Sequence, residues 1–128
     1  MNLYLLETVR TNNFTDPEMV SKITGLWQSL QTLEPPLEGN VYGVYSDYES
    51  DYKGDYSFAI ATTEPRSQMS IPIFAGMNYT KFAVETDVAA TWAFIWDLEE
   101  SGELHRAYTV DFESYQPDGS VVIYIAIQ

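Results

Sequence analysis

Apolar and polar residues alternate from Leu3 to Val9, which predicts a strand ending at the polar loop Arg10-Thr11-Asn12-Asn13. The period then changes. Met19, Ile23, Leu26, Trp27, Leu30 and Leu33 recur at helical spacing over about four turns. Asp16 before Pro17 supplies an N-cap with proline at the first helical position, Thr15 with Glu18 offers a second capping arrangement, and Pro35-Pro36 stops the helix. Asn40 to Ser46 and Tyr56 to Thr62 read as two further strands joined by an acidic segment carrying Asp47, Glu49, Asp51 and Asp55. The second half follows the same plan. Ile71 to Phe74 and Tyr79 to Val84 read as one bent strand, with Gly76 and Asn78 allowing a bulge between them. Asp87 then caps a helix carrying Val88, Trp92, Ile95 and Trp96, which ends near Gly102. His105 to Tyr115 and Ser120 to Ile127 close the chain as a hairpin around Pro117-Asp118-Gly119.

Asp47-Tyr48-Glu49-Ser50 is echoed half a chain later by Asp111-Phe112-Glu113-Ser114. Together with the doubled element order, this predicts an α+β fold. Its units are two βαββ repeats with pseudo-two-fold symmetry, antiparallel sheets, two helices and a central ligand cleft. The halves cover about 1–66 and 67–128 of one domain spanning 1–128. The second copy places Glu113 in a strand-like run among aromatic residues and near Trp92 and Trp96. A carboxylate among aromatic rings suits a hydrophobic cation.

Charge sharpens that picture. Nineteen acidic against six basic residues give −13 at pH 7, a field that repels phosphate backbones and anionic bilayers and attracts cationic molecules or basic proteins. Direct nucleic-acid and membrane binding are not expected. The absence of cysteine excludes disulfides, thiolate nucleophiles and cysteine zinc sites. His105 is the single histidine and no Ser-His-acid spacing stands out, so neither a metal, a cofactor nor an enzymatic triad is expected. Met1 to Glu7 carry no export signal, and no run approaches the ~20 apolar residues of a spanning helix. A cytoplasmic location is expected.

A family resemblance is carried by Val9-Arg10-Thr11-Asn12-Asn13 ahead of a helix with Leu26-Trp27, then by Val41 to Tyr45 with Tyr48 to Asp51 and Gly54-Asp55-Tyr56. It continues through Ile71-Pro72-Ile73 with Gly76 and Tyr79, Trp92 to Trp96, Ser101-Gly102, Asp111 to Tyr115 and Ile123 to Ile127. In this order and spacing the chain resembles the GyrI-like small-molecule-binding domain, the effector-binding part of AraC-type and multidrug-sensing transcription regulators. The resemblance implies a pocket for lipophilic, often cationic compounds with Glu113 as the charge anchor. Ile123 and Ala126 depart from the pattern of many relatives, which argues against a second charge contact in the last strand. No helix-turn-helix precedes the first helix, so the resemblance is to a stand-alone form such as those on integron gene cassettes. Any role in transcription regulation then requires a DNA-binding partner chain.

The residues themselves leave Glu113 either facing water or lining a pocket, and Trp92 and Trp96, one helical turn apart, either filling core or lining the cleft. Tyr45, Tyr56, Phe58, Tyr79 and Phe82 lie on predicted strands, where alternation turns only one face to a cleft. Two other functions compete with ligand capture. One is inhibition of a basic protein target by the acidic turn from Asp47 to Asp55, in the manner of gyrase inhibitors. The other is hydrolysis of electrophilic compounds with Glu113 as general acid or base.

Overall fold

The computed structural model describes residues 1–73 and 77–128. Strands β1 (Asn2–Thr11), β2 (Val41–Ser46), β3 (Tyr56–Thr62), β4 (Ser70–Pro72), β5 (Tyr79–Ala83), β6 (Asp111–Tyr115) and β7 (Val121–Ala126) form one sheet in the order β4-β1-β3-β2-β6-β7-β5. Every named pairing is antiparallel. Helix α1 (Met19–Ser29) lies between β1 and β2, and α2 (Val88–Glu100) between β5 and β6. Apart from the short edge strand β4, each half runs strand, helix, strand, strand, and the two halves meet where β2 pairs with β6. Among the described residues, no helix is long and apolar enough to cross a membrane.

The sheet uses both faces for packing, and alternation along each strand divides the labour. One face closes on itself: Leu3, Tyr42, Val44, Ala61 and Phe112 form a buried cluster with Ile71, Tyr79 and Tyr124, which requires the sheet to curl. Phe112 stacks on Tyr124 with ring centroids 4.6 Å apart. The other face carries the helices. Leu26 of α1 packs on Tyr56, Phe58 and Ile60, and Trp92 and Ile95 of α2 pack on Ile123 and Ile125. A bulge between Leu5 and Glu7 lets β1 serve both sides, with Leu5 in the first cluster and Leu6 beneath α1.

Several expectations are corrected. The single bent strand is two strands on opposite edges of the sheet, β4 beside β1 and β5 beside β7. The expected bulge at Gly76 lies outside the described residues. α1 ends at Ser29 and gives way to a 3₁₀ turn over Leu30–Thr32, so Leu33 is extended rather than helical. Asp16 is not the N-cap and Pro17 is not helical: Asp16 accepts from the Glu18 N–H at 2.9 Å in the turn before the helix, Glu18 is the N-cap without a side-chain cap bond, and α1 starts at Met19. The strand expected from His105 begins at Asp111, because Tyr108 takes a positive φ of 55° that breaks the extended run. Asp87 caps α2 as expected, accepting from the Ala90 N–H at 2.6 Å. The echoed tetrapeptides are not structural counterparts: Asp47 to Ser50 form the turn after β2, whereas Asp111 to Ser114 lie within β6.

Phe112→Ala empties the centre of the curled face and is expected to cost about 3–5 kcal/mol in urea unfolding. A loss below about 1 kcal/mol contradicts a sheet closed around this ring.

Candidate functional site

Between the two helices the sheet leaves a cavity of about 480 Å³, within the range of small-molecule sites. Its floor comes from Tyr45 of β2, Tyr56 and Phe58 of β3, and Glu113 and Tyr115 of β6. Met19, Ile23 and Trp27 of α1 form one wall, and Val88, Trp92 and Trp96 of α2 the other. At the mouth, Phe14 from the loop after β1 packs on Trp96, which stacks on Tyr52 at 5.3 Å between ring centroids.

Glu113 sits at the centre of the floor and is 2% exposed. Its Oε2 accepts from Tyr45 Oη at 2.8 Å and from Trp92 Nε1 at 2.7 Å, and its Oε1 accepts from Tyr115 Oη at 2.7 Å. Burial raises the Glu113 carboxyl above its ordinary 4.5, and the three hydrogen bonds, from Trp92, Tyr115 and Tyr45, act against that rise. Burial and the nearby carboxylate push the hydroxyls of Tyr45, Tyr56 and Tyr115 upward, so they stay protonated donors near neutrality. Among the described residues, no ion pair reaches Glu113.

The neighbouring carboxylate on β6 is treated differently. Asp111 is fully buried and pairs with Arg106 at 2.7 Å, while its Oδ1 accepts from the Ala126 N–H at 2.7 Å. Arg106 also pairs with Glu99 at 2.8 Å, and its guanidinium lies 4.3 Å from the Tyr108 ring centroid and 5.5 Å from that of Trp92. Asp111 and Glu99 thus satisfy one cation between them, and Glu113 is left as negative charge held only by dipoles. That arrangement gives the cavity a negative potential inside apolar walls.

Of the residues proposed from sequence, Glu113, Trp92, Trp96, Tyr45, Tyr56 and Phe58 come together around this cavity. Tyr79 and Phe82 do not. Tyr79 is on the curled face against Phe112, donating to the Val110 carbonyl at 3.1 Å. Phe82 is on the edge strand β5, beyond β7, packed under the outer side of α2 against Phe94. Trp92 belongs to the core and to the cavity wall at once. Sequence reasoning missed Tyr115, which lies two residues beyond Glu113 and so on the same strand face. It also missed Gly43. That glycine pairs with Glu113 across β2 and β6, and a Cβ there would lie 2.9 Å from Glu113 Oε1 and 3.0 Å from the Phe58 ring. Arg106 carried no signal, because its partners Glu99 and Asp111 converge only in the fold. His105 is exposed and outside the cavity. Among the described residues, no group of three or more His, Cys, Asp or Glu is placed to hold a metal.

Gly43→Ala is expected to destabilise the fold by about 1–3 kcal/mol in urea titration, since the buried Glu113 and Phe58 side chains crowd the new methyl; an unchanged midpoint contradicts the close approach. A second expectation concerns pH. The folded pKa of Glu113 exceeds its unfolded value, so the native state holds this proton more tightly. This contribution is complete below pH 4.5 and is lost as pH rises through the folded pKa. The unfolding free energy of the wild type relative to Glu113→Gln should therefore rise as pH falls through that window. A difference flat in pH contradicts the raised pKa.

Comparison with known proteins agrees with this architecture. Residues 6–127 match the family described as integron-associated effector binding protein. An integron cassette protein from the mobile metagenome of Vibrio cholerae, known from its crystal structure, superposes with a TM-score of 0.77 at 29% identity, covering 100% of this chain and 90% of its own. The YobU protein of Bacillus subtilis (strain 168), whose name marks it provisionally as a transcriptional regulator, is 27% identical over 142 aligned positions, covering 93% of this chain and 88% of YobU. With nearly its whole length accounted for, and two helices over a curled antiparallel sheet in common with a solved cassette protein, the chain belongs to the integron-associated effector-binding protein family.

Proposed function

We propose that this protein captures lipophilic organic cations in the cavity between α1 and α2, with Glu113 supplying the charge and Trp92, Trp96, Tyr45, Tyr56 and Phe58 the aromatic surface. The observation that carries this reading is a fully buried carboxylate with three hydrogen-bond donors and, among the described residues, no cation paired with it, set in an aromatic cavity. Burying such a charge costs several kcal/mol that dipoles offset only in part. A flat, delocalised cation restores the balance at low desolvation cost and adds cation–π contacts of roughly 0.5–2 kcal/mol each. The net charge of −13 draws cations toward the protein from a distance.

Binding is favoured over turnover, because Glu113, the acid or base that hydrolysis would use, is 2% exposed and held by three donors, and the described lining holds no serine, cysteine, histidine or lysine beside it. It is also favoured over inhibition of a basic protein by the acidic turn. There Asp51 accepts from the Lys53 N–H and Asp55 from the Asn12 side chain, so those carboxylates fold the loop itself. The provisional naming of YobU supports a reading in which ligand binding is passed to transcription.

All three tryptophans line the cavity, so intrinsic fluorescence reports occupancy. Lipophilic cations should quench it saturably. Glu113→Gln should weaken them by about fivefold or more, equivalent to the ~1 kcal/mol of a lost charged contact, while matched neutral compounds are unaffected. Equal affinity in wild type and variant removes Glu113 as the anchor.

A further inference from the structure

The order β4-β1-β3-β2-β6-β7-β5 is symmetric about the β2–β6 pair, which puts β1 and β5 in equivalent places. One difference breaks the symmetry. β4 covers the outer edge of β1, whereas no described residue pairs with the outer edge of β5. The Val84 N–H donates to the Val121 carbonyl at 3.0 Å, and the Asn78 carbonyl accepts from the Ile127 N–H at 3.1 Å. Even-numbered residues of this segment therefore bond to β7, and Tyr79, Lys81 and Ala83 turn their N–H and C=O groups outward. Such an edge is a template for another strand. The side chains alternate too: Phe82 and Val84 pack with α2, while Lys81 lies on the opposite face, its Nζ 5.6 Å from the Tyr124 ring centroid. Above the edge, Phe94 packs on Phe82 and is still 54% exposed. It stands about 200° around α2 from Trp92 and so faces away from the cavity.

We propose that the outer edge of β5 pairs antiparallel with the same strand of a second copy, joining two sheets into one across a two-fold axis at Ala83. Charge complementarity identifies the occupant. Ala83 opposite Ala83 lets the two residues exchange both hydrogen bonds, and it sets Lys81 opposite the second copy's Glu85 on each side of the axis. Lys81 and Glu85 are both exposed, and neither has an ion-pair partner among the described residues. Directly opposed side chains on one face of a strand pair are close enough to interact. Centring the axis on Lys81 instead would oppose two ammonium groups. The lysine that guards this edge against other strands thus also fixes the register. On the helix face the same register sets Phe82 against the second copy's Val84 and brings the two α2 helices alongside each other, which covers Phe94. The charge of −13 on each copy opposes association at long range. At about 0.15 M salt that repulsion is screened beyond about 8 Å, while groups in contact keep part of their attraction.

Sedimentation velocity over a concentration series at about 0.15 M salt tests this, whatever the cavity binds. The wild type should be a dimer that dissociates on dilution. Lys81→Glu and Glu85→Lys should each weaken it by about tenfold or more, because both pairs across the axis become repulsive. Mixed in equal amounts, the two variants should associate again, since every pair across the axis then joins opposite charges. A general loss of stability produces no such rescue. Ala83→Pro removes an outward N–H that β7 does not use, and should leave a monomer with unchanged circular dichroism; if it does not fold, the charge variants carry the test. A wild type that is monomeric throughout the series overturns the proposal. So does a dimer that the charge substitutions leave unchanged, or one that they weaken without recovery on mixing.

Discussion

The register in which β2 pairs with β6 sets Gly43 opposite Glu113, at the line where the two halves of the sheet meet. Glycine there leaves room for the carboxylate to lie flat against the sheet, where Tyr45 from β2, Tyr115 from β6 and Trp92 from α2 all reach it. A shift of one residue would turn Glu113 to the curled face, among Tyr42, Tyr124 and Tyr79, and turn Phe112 toward the helices. The fold tolerates no such shift, because Phe112 and its stacked neighbours fill that face tightly. Core packing on one side of the sheet therefore fixes the position of the charge on the other.

Two buried carboxylates stand two residues apart on β6 and meet opposite solutions. Asp111 is neutralised by Arg106 and ties the link after α2 to β7 through the Ala126 N–H, so it behaves as part of the scaffold. Glu113 is met by neutral donors alone, which orient it and moderate its desolvation without cancelling its charge. Arg106 joins the two environments, since its guanidinium lies near the face of Trp92, the residue that donates to Glu113. An ion pair fixing one wall of a pocket whose floor keeps an uncompensated charge separates rigidity from attraction.

Much of this architecture was legible in the sequence. Period-two and helical patterns located β2, β3, α2 and the final hairpin, because their apolar residues really do face packed neighbours. The patterns failed where tertiary pairing decided the outcome. Ile71 and Tyr79 look like parts of one strand, but hydrogen bonding to β1 and to β7 draws them to opposite edges. Tyr108 reads as strand until its left-handed backbone turns the ring over Arg106. At the site, Glu113 and its aromatic surroundings were visible as a local cluster. Tyr79 was misplaced because alternation does not reveal which face a strand turns inward. Gly43 and Arg106 were hidden because their importance comes from partners far away in the chain.

The account centres on Glu113 as a buried carboxylate whose pKa is raised by desolvation and lowered again by a bound cation. Its carboxyl carbon can be followed by NMR through a pH titration, in the free protein and with saturating tetraphenylphosphonium. The account predicts a free-state pKa above 4.5 that falls when the cation is bound, since ligand and proton compete for the same charge. A pKa at its ordinary value, or one that the saturating cation leaves unmoved, would contradict it.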